Sequence, residues 1–273
     1  MHPFTFMTAA TTTLLSSDAR ILPRPPSRLL QWLELRAIGE LYTSIALMPL
    51  LQRAPRGDSH AVLVLPGLIA SDVSTQLLRA YLKGRGYDAR GWGLGRNMGL
   101  KEGLRETMLD CVRELHAETG RKVSLVGWSL GGVYARDLAA ELPDAVRSCI
   151  MLGSPIHGHP RSTNAWRIYE LASGQSIDDP DLHRLDPAVP PVPTTSIFSR
   201  SDGVVAWQCS VEAKTPGSES IEVDGSHCGL GAHPAVLYAI ADRLAQPEGS
   251  WRPFDRTGLR ALVYPDPYRA ERR

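Results

Sequence analysis

Cysteine is scarce in this chain, with four in 273 residues. Cys111, Cys149, Cys209 and Cys228 form no C-x-x-C pair, which excludes a disulfide-stapled small domain and the usual zinc-ligand spacings. They read as reduced thiols, and the expected compartment is the cytoplasm. Lysine is nearly absent: Lys83, Lys101, Lys122 and Lys214 are the only ones among 30 cations. With 29 acids the formal net charge is +1, which argues against a nucleic-acid-binding surface and against an acidic solvating tail. Long apolar runs are also missing. The longest, residues 45–51, is interrupted by Pro49, whereas a bilayer span needs about 20 apolar residues. The first 17 residues hold no Lys or Arg and are rich in threonine. They therefore lack the basic and apolar regions of a secretory signal.

What is present suits a sizeable core, since 43% of the residues are hydrophobic. Residues 1–26 read as an irregular arm ending in Pro23-Arg-Pro-Pro26. The body spans 27–246, and 247–273 form a C-terminal strap without clear periodicity. Ser27 is a good N-cap for a helix over 27–48, stopping before Pro49. In that helix Leu30, Leu33, Ala37, Leu41, Ile45 and Met48 recur at spacings of three and four. The stripe is expected to pack on the body, with Arg28, Glu34, Arg36 and Glu40 as charged interruptions. The alternative is peripheral contact with a membrane surface through the same helix.

Continuous apolar runs at 61–65, 122–126, 145–152, 195–198 and 220–223 suit strands buried on both faces. Helical patterns lie between or after them at 72–83, 101–119, 133–142 and 234–244. The alternation predicts an α/β fold with a mainly parallel sheet and helices on both faces. Residues 155–193 interrupt the rhythm. This proline-rich insertion, with a helix expected within 163–172, is too long for a plain connector.

The sharpest chemical signal is Gly127-Trp-Ser-Leu-Gly131, between a predicted strand and a predicted helix. A serine hydroxyl becomes a nucleophile only when a base takes its proton, and a G-x-S-x-G turn exposes its Oγ above the sheet. In the chain order Ser, acid, His, the best acid is Asp202 and the best base His227, each just past a predicted strand. The oxyanion donors expected are the backbone N–H groups of Leu130, which follows the serine, and of Leu68, in the loop after the 61–65 strand. Trp128, Trp166 and Tyr169 are candidates for substrate contact.

Competing residues carry blander readings. Asp224 suits turn chemistry, and Asp178, Asp179, Asp181 and Asp186 suit a solvated face. His60 and His116 read as surface residues, His157 and His159 as loop residues, and His233 as a helix-start residue. His183 lacks a strand-end setting. Gly91-Trp-Gly-Leu-Gly95 does not match a phosphate-binding spacing. Cys228, beside His227, reads as a structural thiol.

From the serine motif and its two partners, residues 61–244 resemble the α/β-hydrolases, in particular bacterial lipases and carboxylesterases. The resemblance implies Ser129 as nucleophile, Asp202 and His227 as its acid and base, Leu68 and Leu130 as oxyanion donors, and a cap at 155–193. Pro66 departs from the family, where a His often precedes the strand-end glycine and supports the oxyanion loop. The implied reaction is hydrolysis of a small-molecule or lipid ester through an acyl-enzyme, with no metal or organic cofactor. An acyltransferase using the same residues and a non-catalytic binding protein on the same fold are the alternatives.

Overall fold

A computed structural model describes residues 23–178 and 188–269. The expectations for residues 1–22, Asp179, Asp181, His183, Asp186 and the last four residues lie outside them.

Six strands form one parallel sheet: β1 (Ala61–Leu65), β2 (Asp88–Gly91), β3 (Val123–Trp128), β4 (Val146–Leu152), β5 (Thr194–Ser199) and β6 (Ser218–Val223). Their order is β2-β1-β3-β4-β5-β6, every pair parallel. The order reverses between β1 and β3, and α/β sheets form their crevices at the carboxyl ends of strands beside such a reversal.

Alternation along the strands fills both faces. Val62, Val64, Val126 and Ile150 pack on one side against α3 (Gln76–Gly84) and α7 (Pro234–Leu244), through Leu78, Leu82, Val236 and Ile240. Leu63, Leu65, Leu125 and Met151 pack on the other against α4 (Leu104–Thr119) and α5 (Leu130–Glu141), through Val112, Leu115 and Leu138. A parallel sheet is buried on both faces, hence runs of apolar residues without polar alternation.

The sheet edges are polar. In β2, Asp-Ala-Arg-Gly has no apolar run; Arg90 pairs with Asp88 at 2.8 Å and with Glu118 at 2.7 Å. In β6 the buried Glu219 pairs with Arg243 at 2.7 Å, and Glu222 with Arg200 at 3.1 Å and with Arg269. Residues between 247 and 269 lie over that edge. Phe254 N–H donates to Glu219, Ser220 N–H donates to the Tyr268 hydroxyl, and Phe254 and Tyr264 are buried beside α7. A four-residue helix, Arg260–Val263, lies within this strap.

The N-terminal helix departs from the sequence reading. It consists of α1 (Arg28–Leu33), a 3-10 turn (Glu34–Arg36) and α2 (Ala37–Leu51). The Ser27 hydroxyl caps it, and it runs through Pro49. The apolar stripe faces the body only in part: Leu33, Leu41 and Ile45 are exposed, Leu30 and Ala37 are partly covered, and Met48 packs against the core. The supposed interruptions make the docking contacts instead. Glu34, Arg36, Glu40 and Ser44 all hydrogen-bond to loops of the body. Backbone groups at strand ends need partners, and these side chains supply them.

This inverted orientation has a direct consequence for stability. Leu125→Ala, at a site with no exposure, should cost about 2–5 kcal/mol. Ile45→Ser, at 54% exposure, should stay within about 0.5 kcal/mol of the parent. Urea unfolding measures both, and a loss at Ile45 as large as at Leu125 would return the stripe to the core.

Candidate active site

Ser129 follows β3 directly and precedes α5 with φ +54° and ψ −120°, a conformation that non-glycine residues seldom hold. The flanking glycines permit the bend. A Cβ on Gly127 would overlap the Gly131 carbonyl, and one on Gly131 would overlap the Leu65 carbonyl. The turn thus lifts the serine side chain clear of the sheet while β1 and β3 stay in register.

Two further strand ends meet it. Asp202 follows β5 and His227 follows β6. The Ser129 Oγ lies 3.0 Å from His227 Nε2, and His227 Nδ1 lies 2.7 Å from Asp202 Oδ2. The other Asp202 oxygen accepts from Val204 N–H at 2.8 Å and Val205 N–H at 2.7 Å. Asp202 and His227 are buried, and Ser129 is partly exposed. Burial alone would lower the His227 pKa. The Asp202 charge, its hydrogen bond and the Glu34 charge outweigh that and hold it above the ordinary histidine value of 6.5.

The loop after β1 lies directly opposite. Leu68 and Leu130 line the same cavity as Ser129. The Leu130 N–H is at the first position of α5, where helix geometry leaves it without an intrahelical acceptor. The Leu68 N–H takes no hydrogen bond among the described residues. Asn97 holds this loop. Its amide donates to the Pro66 carbonyl at 2.9 Å, its own carbonyl accepts from Ile69 N–H at 2.6 Å, and Tyr134 donates to its side chain. Asn97 is buried, and nothing in its local sequence marks it. The preceding glycine-rich loop is occupied by the protein's own carboxylate, since Asp72 accepts from Trp92 and Gly93 N–H, both at 3.0 Å.

A cavity of about 570 Å³ opens at Ser129. Leu100, Leu130, Val133, Ile156 and Ile177 make much of it apolar, with His157 and His159 at its wall. Trp166 and Tyr169, from α6 (Trp166–Ser173) in the 155–193 insertion, line it too. Trp128 does not. Adjacent strand residues point to opposite faces, and its indole donates to the His227 carbonyl at 3.1 Å and lines a second groove against α2 and α3.

The other histidines sort themselves by contact. His233 caps α7, accepting from Ala235 N–H. His60 is buried, not at the surface: Nε2 lies 2.8 Å from the Ser124 Oγ and Nδ1 2.5 Å from Asp58. This second Ser–His–Asp chain sits at the opposite end of β3, where Ser124 is fully buried and also bonded to Ser148. The exposed Cys228 has its pKa pushed up to about 12, by local desolvation first and then by Glu34, so its thiol stays protonated near neutral pH. Among the described residues no group of His, Cys, Asp and Glu has the grouping needed to hold a metal ion.

The midpoints of His227 and His60 should be shifted in opposite directions. By NMR, the His227 ring should titrate above 6.5 and His60 below it, because burial dominates at His60. Asp202→Asn should lower the His227 midpoint. An unchanged midpoint would remove Asp202 as the partner that sets its charge.

No family model matches the chain. A curated mouse (Mus musculus) protein, serine hydrolase BPHL, is 33% identical over 113 residues, or 38% of this chain. The match spans 38% of that relative's own length. Among solved structures, lipase B of Aspergillus fumigatus superposes with a TM-score of 0.53 at 16% identity, covering 70% of this chain and 53% of that one. The mature lipase BlEst2 of Bacillus licheniformis gives 0.51 at 16% identity, covering 69% and 92%. No helix among the described residues is long and apolar enough to cross a membrane.

Proposed function

We propose that this chain, which has the α/β-hydrolase fold, is a serine hydrolase of carboxylic esters. The observation that carries the reading is the hydrogen-bonded series Ser129–His227–Asp202 at the mouth of an apolar cavity. In the proposed reaction the Ser129 Oγ attacks the ester carbonyl while His227 Nε2 takes its proton. Charge develops on the carbonyl oxygen between the Leu68 and Leu130 N–H groups, and each such donor is typically worth about 3–4 kcal/mol at the transition state. His227 then protonates the departing alkoxide, leaving an acyl-enzyme. A water molecule, deprotonated by the same imidazole, releases the acid and restores Ser129. Asp202 keeps the imidazole in the tautomer that presents Nε2 to the serine and stabilises its cation. This sequence uses no metal or organic cofactor.

The acyl portion belongs in the cavity, whose Leu, Val and Ile side chains suit hydrocarbon. The insertion at 155–193 acts as its cap through Trp166 and Tyr169. Ser129→Ala and His227→Ala should each abolish turnover of a short p-nitrophenyl ester and leave circular dichroism unchanged. A fluorophosphonate should label the parent and not Ser129→Ala. Tyr169→Ala should alter the ratio of long-chain to acetyl-ester turnover more than the acetyl rate itself. Residual turnover in Ser129→Ala would reject the mechanism, and an unchanged ratio would reject the cap.

A lipid ester is the substrate class favoured by the N-terminal helix. Leu29, Trp32, Leu35, Ile38, Tyr42, Ile45 and Leu50 are exposed on it. Arg24, Arg28, Arg53 and Arg56 flank the apolar segment, an arrangement suited to contact with an anionic lipid surface. The protein should co-sediment with vesicles containing phosphatidylserine, and Trp32→Ser with Ile38→Ser should weaken this. Equal binding by the double variant would place the contact elsewhere.

A further inference from the structure

We propose that Glu34 is a positioning residue for the reacting pair, bridging from the N-terminal helix the two loops that carry Asp202 and His227. This inference rests on the serine-hydrolase reading above. One Glu34 oxygen accepts from Gly203 N–H at 2.7 Å and from His227 N–H at 3.0 Å, and the other accepts from Cys228 N–H at 2.8 Å. Gly203 follows Asp202 directly, and His227 is the proposed base itself. A single carboxylate therefore holds the main chain at both ends of the 2.7 Å imidazole–carboxylate contact.

The surrounding contacts point the same way. Arg36 donates to the Ser201 carbonyl at 2.9 Å and to its hydroxyl at 2.7 Å, on the acid-bearing loop. Glu40 accepts from Ser226 N–H at 2.8 Å and from its hydroxyl at 2.6 Å, on the histidine-bearing loop. Arg36 and Glu40 also lie 3.4 Å apart. The approach at Gly203 is so close that a Cβ there would overlap the Leu30 carbonyl. The helix thus spans the gap between the two loops with Glu34 at its centre.

Residue chemistry explains why a carboxylate occupies this place. Three N–H donors converge on the side chain, and an ionised carboxylate only accepts. Glutamine has one accepting oxygen, so its NH₂ group would face a donor. Charge gives a second consequence. The ionisable groups brought to His227 are Asp202, Ser129, the Cys228 thiol and Glu34, with Glu40 one residue away on Ser226. Removing the Glu34 charge therefore lowers the pH at which His227 becomes neutral.

The test compares Glu34→Ala, Glu34→Gln and the parent by ester turnover, pH profile and fluorophosphonate labelling rate. A misplaced reacting group can cost about 100-fold. Glu34→Ala should accordingly lose about 10- to 100-fold in kcat and in labelling rate, with KM within about twofold because Glu34 does not line the acyl cavity. Glu34→Gln, which can keep part of the bridge, should lose less. Both should move the acid limb of kcat/KM to lower pH. Parent-like kcat and acid limb in Glu34→Ala, alongside an inactive Ser129→Ala, would overturn the bridge and leave the hydrolase reading standing. Turnover and labelling that persist in Ser129→Ala would overturn the hydrolase reading itself. If Glu34→Ala does not fold, Glu34→Gln decides: parent-like rate and acid limb overturn the bridge, and a shifted limb with lowered kcat supports it.

Discussion

The parallel direction of the strands is the constraint on which the site depends. Because β1, β3, β5 and β6 all run the same way, their carboxyl ends emerge on one edge. The loops that leave them bring Leu68, Ser129, Asp202 and His227 together from positions far apart in sequence. An antiparallel neighbour would have sent its following loop to the opposite edge. The price of this arrangement is burial of both sheet faces, met by two apolar clusters of opposite strand parity. The rigidity of those layers gives the loops a fixed base, since close-packed interiors transmit strain and do not absorb it.

The N-terminal helix is amphipathic in the reverse of the usual sense. Its carboxylates and Arg36 face the body, and most of its large apolar side chains face outward, with Leu51 and Met48 at its end packed on the core. The reversal follows from what the body offers at that point. Loops leaving β5 and β6 present main-chain N–H groups at Gly203, Ser226, His227 and Cys228. An unpaired buried polar group costs about 1–3 kcal/mol, and charge-assisted hydrogen bonds are roughly twice as strong as neutral ones. Two glutamates satisfy all four donors, and this fixes which side of the helix meets the body. The same orientation leaves an apolar surface available for contact with something outside the chain.

Legibility in the sequence divided along the same physical lines. Strands with apolar runs were readable, and β2 was not, because its Asp88-Ala-Arg-Gly91 stretch pairs along one edge only and satisfies its charges locally. The 234–244 helix was readable to the residue because His233 and Pro234 mark its start. The convergence of Ser129, Asp202 and His227 is legible because their strand-end settings and chain order restrict the choices. Asn97, Glu34 and the outward-facing stripe were not. Their roles depend on where main-chain donors and acceptors from distant segments fall, and no local period encodes that. His60 departs from the surface reading for a related reason: its burial is made tolerable by Asp58 and Ser124, 2 and 64 residues away.

Two Ser–His–Asp series among the described residues share residue types and differ in their surroundings. Ser124–His60–Asp58 has contacts as short as those of Ser129–His227–Asp202. Yet Ser124 lies within a strand, fully buried, with its hydroxyl shared with Ser148. Burial lowers the His60 pKa despite the nearby Asp58, and Asp58 is claimed by Arg121 and Arg147. That series is a polar plug that satisfies a buried histidine. Ser129 differs in having a positive φ that lifts it off the sheet and a cavity at its Oγ. Nucleophilic chemistry needs room for a tetrahedral centre and donors for its oxygen. Room at the hydroxyl, more than the identity of three side chains, distinguishes the carboxyl edge of this sheet from its opposite end.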